Sequence, residues 1–165
     1  MFNNTKILTT NVRQTKALAL LETTNMSEDW LKWYMEQVAK NKTWPKYHEK
    51  YLCPCYYMPT LDERASFDIC TICFWEDDGQ DTDDAGIIRG GPNHDYSLKE
   101  ARENFVKYHT MYRPTDVEHF EREQSQMNFK RQLYQMYSKA MKSGKISDWK
   151  EVISVHEKYY EDDEC

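Results

Sequence analysis

Four of the five cysteines fall within 21 residues, as Cys53-Pro54-Cys55 and Cys70-Thr71-Ile72-Cys73. This spacing constrains the chain more than any other feature. A short turn between two cysteines presents both thiolates to one ion, and a second turn a strand-and-loop length away closes a tetrahedron around it, with zinc–sulfur bonds of about 2.3 Å. A metal held in this way stabilises a region that has little apolar core of its own. Cys53, Cys55, Cys70 and Cys73 are therefore the expected ligands of a structural zinc ion. Four buried, inert thiols are the alternative, and a redox pair is a third. The first turn is the weak point, because a single residue, Pro54, separates its cysteines where structural zinc turns use two to four. His48 could stand in as a ligand. Cys165 reads as a free, exposed thiol.

The residues around the cysteines carry a resemblance. YLCPCYYMPTLDERASFDICTICFWEDDGQ, followed by GGPNHDYSLKEARENF, is similar to the bacterial cysteine-rich CPCC domain family over about residues 51–115. The family pattern is Cys-Pro-Cys-Cys-Gly followed by Cys-x-x-Cys, and it implies a small zinc ribbon. Cys53, Cys70 and Cys73 carry over directly, and Cys55 matches a family cysteine. Tyr56 stands where the family has its third cysteine, and Tyr57 where it has glycine. If the ligands of the first turn are the first and third cysteines, either Cys55 or a histidine replaces the missing one or the site has lost its metal.

The flanking segments read as helices. Residues 14–23 suit a short one. Ser27 caps a second, whose apolar face is Trp30, Leu31, Tyr34, Met35 and Val38, and Pro45 forbids its continuation. Ser97–Glu100 forms a capping box, opening a helix with Leu98, Ala101, Phe105, Tyr108 and Tyr112 on one face and Pro114 at its end. Thr115–Glu118 forms a second box, and the helical stripe behind it runs to about 142, as one helix or two. Ser147 caps a last helix carrying Trp149, Val152, Ile153, His156 and Tyr160. Between these lie dense turn residues, with strands expected near 66–73 and 86–89. The expected class is α+β: a small zinc-ribbon-like cysteine module with short strands at 51–115, between helical extensions at 1–50 and 116–165. Aliphatic residues are scarce, so the apolar surface must come from 12 Tyr, 5 Trp, 6 Phe and 8 Met. That predicts aromatic packing.

Charge narrows the function classes. The net charge is -6. Residues 1–50 contribute about +3, residues 60–100 about -8, and the remainder about -1. A pI near 5.4 argues against broad contact with a phosphate backbone. Glu76, Asp77, Asp78, Asp81, Asp83 and Asp84 form an acidic run that suggests a basic protein partner. It fails as a calcium loop, since Pro92 falls where a bidentate glutamate is required when Asp81 is counted first. There is no phosphate-cradling glycine loop, no G-x-S-x-G and no H-E-x-x-H. The zinc-deaminase pattern lacks its second cysteine after Pro54-Cys55. No window is apolar enough for a membrane span or a signal peptide, so a reducing cytoplasm is expected. These features together point to a non-enzymatic binding protein, and more sharply to an immunity protein that neutralises a cognate toxin through an acidic, aromatic-rich surface. The alternative is a zinc-ribbon regulator of nucleic acid or transcription machinery. It would use Lys40, Lys42, Lys46 and Lys50 near Trp44 and Tyr47.

Overall fold

The computed structural model describes residues 30–163, with side chains to residue 159. The helix expected over 14–23, the Ser27 cap and Cys165 lie outside them. Five helices and a small antiparallel sheet are present. Helix α1 covers residues 30–41. Strands β1 (Lys46–Tyr47), β2 (Lys50–Leu52) and β3 (Pro59–Leu61) follow, then a 3-10 turn at Gly91–Asn93. Helices α2 (Leu98–Tyr108), α3 (Val117–Gln124), α4 (Met127–Ser143) and α5 (Ile146–Asp163) complete the order. The sheet order is β1-β2-β3, with Tyr47 opposite Lys50 and Tyr51 opposite Leu61.

The strands differ from those expected at 66–73 and 86–89. The first region contributes one isolated bridge, Ile69 to Glu76, and the second none. The sheet lies earlier because Pro45 ends the reach of α1. The chain then reverses at His48 and Glu49, both at positive φ, and pairs with itself at once.

Helix caps follow local chemistry in part. Ser97 Oγ accepts from the Glu100 amide at 3.1 Å, as a capping box requires. Helix α2 stops at Tyr108 rather than reaching Tyr112, because His109 takes the left-handed conformation and its amide bonds back to Phe105. The second box does not form. Asp116, not Thr115, is the cap, and its carboxylate is drawn away to Tyr96 and His119. The stripe over 115–142 is two helices, broken at Ser125 and Gln126.

The core is one cluster running from Trp30 to Val152. Its largest fully buried side chains include Trp75, Tyr34, Tyr56, Tyr134, Tyr137 and Phe105. Tyr56 stands at its centre, its ring 4.9 Å from Phe105 and 5.4 Å from Tyr134. Trp30 donates to Ser138 Oγ at 2.9 Å and so ties α1 to α4. Met35, expected on the buried face, is exposed. α5 packs on α4 through stacked Phe129 and Tyr159.

His109 gives this core a pH dependence. It is wholly buried. That burial, with the Arg131 and Lys130 cations beside it, lowers its imidazole from 6.5 to about 4. The unfolded chain therefore binds a proton between those values that the native protein does not. The stabilisation is complete above about pH 6.5 and is lost as pH falls towards 4, and it amounts to about 3 kcal/mol. We expect the melting temperature of His109→Gln to fall less steeply than that of wild type between pH 6.5 and 4. Parallel curves would contradict this.

Candidate metal centre and the acidic loop beside it

Two turns with the same backbone design carry the cysteines. In the first, the Cys53 amide donates to the Met58 carbonyl at 2.9 Å and the Tyr57 amide to the Cys53 carbonyl at 2.7 Å. In the second, Cys70 donates to Trp75 at 2.9 Å and Phe74 to Cys70 at 2.8 Å. The fifth residue of each turn has positive φ, 63° at Tyr57 and 69° at Phe74, although a bulky residue avoids that region. Positions one and four of the turns are Cys53 and Tyr56 in the first, and Cys70 and Cys73 in the second.

This arrangement brings together three thiols. The sulfur atoms of Cys53, Cys70 and Cys73 all lie within 4.8 Å of one another, and all three residues are buried. The Cys53 and Cys73 sulfurs are 3.6 Å apart. A tetrahedral zinc site with bonds of about 2.3 Å needs sulfurs about 3.8 Å apart, so the three thiols form a group able to hold a thiophilic metal ion. Cys55 is buried next to Cys73 but falls outside that group. His48 is also outside it, with its ring stacked on Trp149.

The surroundings favour a thiolate at Cys70 alone. The Trp75 amide donates to Cys73 Sγ at 3.5 Å, and Thr60 Oγ1 lies 3.3 Å from Cys70 Sγ. Burial pushes the Cys53, Cys55 and Cys73 thiols above their ordinary range. At Cys70 burial acts the same way but is outweighed by hydrogen bonds from Cys53, Cys73 and Thr60, so this sulfur ionises most readily. Metal uptake at the centre expels the remaining protons and is favoured by rising pH.

The acidic run is not a free loop. Its organiser is Arg64, which is buried with its guanidinium 4.5 Å from the Trp44 ring. Arg64 Nε donates to Asp77 at 2.7 Å, and its other nitrogens reach Tyr34 Oη at 2.7 Å and Asp81 at 3.5 Å. Asp77 is fully buried and also accepts the Ala65 amide at 2.8 Å. It cannot meet a partner, contrary to its expected place on an acidic surface. Asp81 accepts Tyr34 Oη–H at 2.6 Å and lies 3.7 Å from Arg102. Asp78 caps the Gln80 amide. Asp84 accepts the Asp81 amide and pairs with Arg89. Glu76 is held through its backbone by Asn93. Gly79 has φ of 83° and lies so near Ala65 that an added Cβ would approach to 3.0 Å; glycine is required there. Of the six acids, Asp83 alone is exposed; Asp77 is buried and the other four are half-buried.

Sequence reasoning missed Arg64 and Tyr34. Arg64 did leave a signal, as one of three cations opposing eleven acids over residues 60–100. Residues 51–129 match the model of the family described as Cysteine-rich CPCC. No curated protein and no solved structure matches the chain.

Proposed function

Since residues 51–129 match the model of the cysteine-rich CPCC family, we propose that the protein is a metal-stapled, non-enzymatic module that binds another protein, and that it acts as an immunity protein against a basic toxin in the bacterial cytoplasm. The ion is zinc. Cys53, Cys70 and Cys73 hold it, and Cys55, next to Cys73, supplies the fourth thiolate. The observation that carries the binding role is the internally locked loop 76–89. Arg64 and Arg89 fix its backbone, and Gln80 ties it to the carbonyls of Asp84 and Ile87 at 3.0 and 2.7 Å. Asp83, Ile87 (56% exposed) and Ile88 (59%) are left outward. A rigid tip of this kind, apolar with an acidic edge, loses little entropy on binding and suits a basic partner with an apolar contact.

The test begins with the neighbouring reading frame. Co-expression should rescue cells from a toxin encoded there, and the purified pair should associate. Asp83→Lys combined with Ile88→Glu should weaken that association by at least about 30-fold, as expected for a binding hot spot. Full rescue and unchanged affinity with this variant would refute the assigned surface.

One observation favours the nucleic-acid reading. A groove beside α1 and β1 is lined by Trp33, Lys42, Trp44, Lys46, Tyr47 and Tyr51. Aromatic faces among lysines are the means by which single strands are stacked and held. Salt-dependent binding of a labelled oligonucleotide at micromolar protein, abolished by Lys42→Glu with Lys46→Glu, would transfer the assignment to this reading.

A further inference from the structure

A divalent ion held by thiolates leaves the core charged. The thiols give their remaining protons to solvent, and three thiolates around the ion leave a centre of net charge -1; a fourth makes it -2. The site is fully buried, and a buried net charge is expensive unless a counter-charge is built in. Among the described residues the buried cations are Arg64 and Lys130. Arg64 is committed to Asp77. Lys130 stands against the second cysteine turn. Its Nζ lies 4.5 Å from the centre of the Phe74 ring, and Phe74 directly follows Cys73.

Lys130 is 1% exposed and paired with Glu123, which is equally buried. Arg122 shares that carboxylate at 3.3 Å and also faces the Phe74 ring. The trio Arg122–Glu123–Lys130 thus places a net positive charge against Phe74 of the second cysteine turn. A buried ion pair adds little stability over well-packed apolar residues, so its position calls for another reason. Burial pushes the Lys130 ammonium towards neutrality, and Glu123, Cys73 and Cys70 oppose this.

We propose that Lys130, aligned by Glu123 and Phe74, is the internal counter-ion of the metal-loaded Cys53–Cys70–Cys73 centre, and that the Glu123–Lys130 pair sets how tightly the ion is held. This rests on the metal reading above. Lys130 is a positioning residue; it touches no ligand of the ion and acts through charge.

The test is a zinc titration against a competing chelating dye at fixed pH, on the full chain. Lys130→Met should weaken affinity about ten- to hundredfold, the usual cost of losing an outer partner of a metal site. Glu123→Gln should tighten it, because the lysine charge is then no longer offset. Lys130→Arg keeps the charge and should stay near wild type. A purely structural pair predicts the same direction for Lys130→Met and Glu123→Gln, since each breaks it. That result, or no change in either, overturns the proposal. If Lys130→Met fails to fold, Glu123→Gln decides: tightening supports the counter-ion role, and weakening or no change overturns it. A wild-type protein that takes up no zinc overturns the metal reading as well, whereas tight wild-type uptake with same-direction shifts overturns this inference alone.

Discussion

Cys73→Ser should abolish zinc binding and cause one of the two largest losses of stability expected for this protein. Elemental analysis of the wild type should give about one zinc per chain, and the variant none. Cys73 is the second thiol of the better-formed turn, and its sulfur sits 3.6 Å from Cys53. Serine leaves Cys53 and Cys70 with Cys55, which lies outside their group, an incomplete set that does not retain the ion. A structural zinc contributes its binding energy to folding outright. A loss of only about 4 kcal/mol would lower the melting temperature of a chain of this size by about 8–16 °C. A strong chelator should bring the wild type down to the variant and leave the variant unmoved. A wild type that melts identically with and without chelator would refute the staple.

Arg64→Met should be the second large effect. The guanidinium is wholly buried and is the partner of the equally buried Asp77 carboxylate. Removing one member of such a pair strands the other charge, at a cost of about 3–5 kcal/mol. That corresponds to a melting decrease of about 6–20 °C. The loss should concentrate in the loop, so amide exchange at Gln80 and Asp81 should accelerate more than in α4. Asp77→Leu added to Arg64→Met should recover part of the loss, because no uncompensated charge then remains at that position. Additive losses in the double variant would mean that the pair is not coupled.

The cysteine group was legible because its chemistry is local. Cys70 and Cys73 are bound to each other by one turn, and the quoted segments carried the family. The helices were legible where a periodic apolar face met a cap, as at Ser97. They were misjudged where a remote partner competed for the cap. Asp116 turns to Tyr96, twenty residues away, and no reading of 115–118 contains that fact. The strands were misplaced for a related reason. Breaker-rich segments such as 86–89 resemble strand boundaries, but the Ile87 carbonyl accepts from the Gln80 side chain and the Ile87 amide donates to the Asp84 carbonyl rather than to a neighbouring strand.

The acidic run marks the division most clearly. The sequence by itself determined the charge imbalance of residues 60–100, the two cysteine turns and the aromatic character of the core, because each follows from composition or spacing along the chain. Only the tertiary structure decided which charges face water. Arg64, thirteen residues before Asp77 and thirty after Tyr34, draws both into the interior, and an acidic surface of six residues is reduced to Asp83 as its one exposed member. It also decided that Tyr56, at the fourth position of the first cysteine turn, serves the core against Phe105 and Tyr134, while Lys130, far along the chain, comes to rest on the Phe74 ring of the second turn. Charge and packing act through distance in space, and a sequence records only distance along the chain.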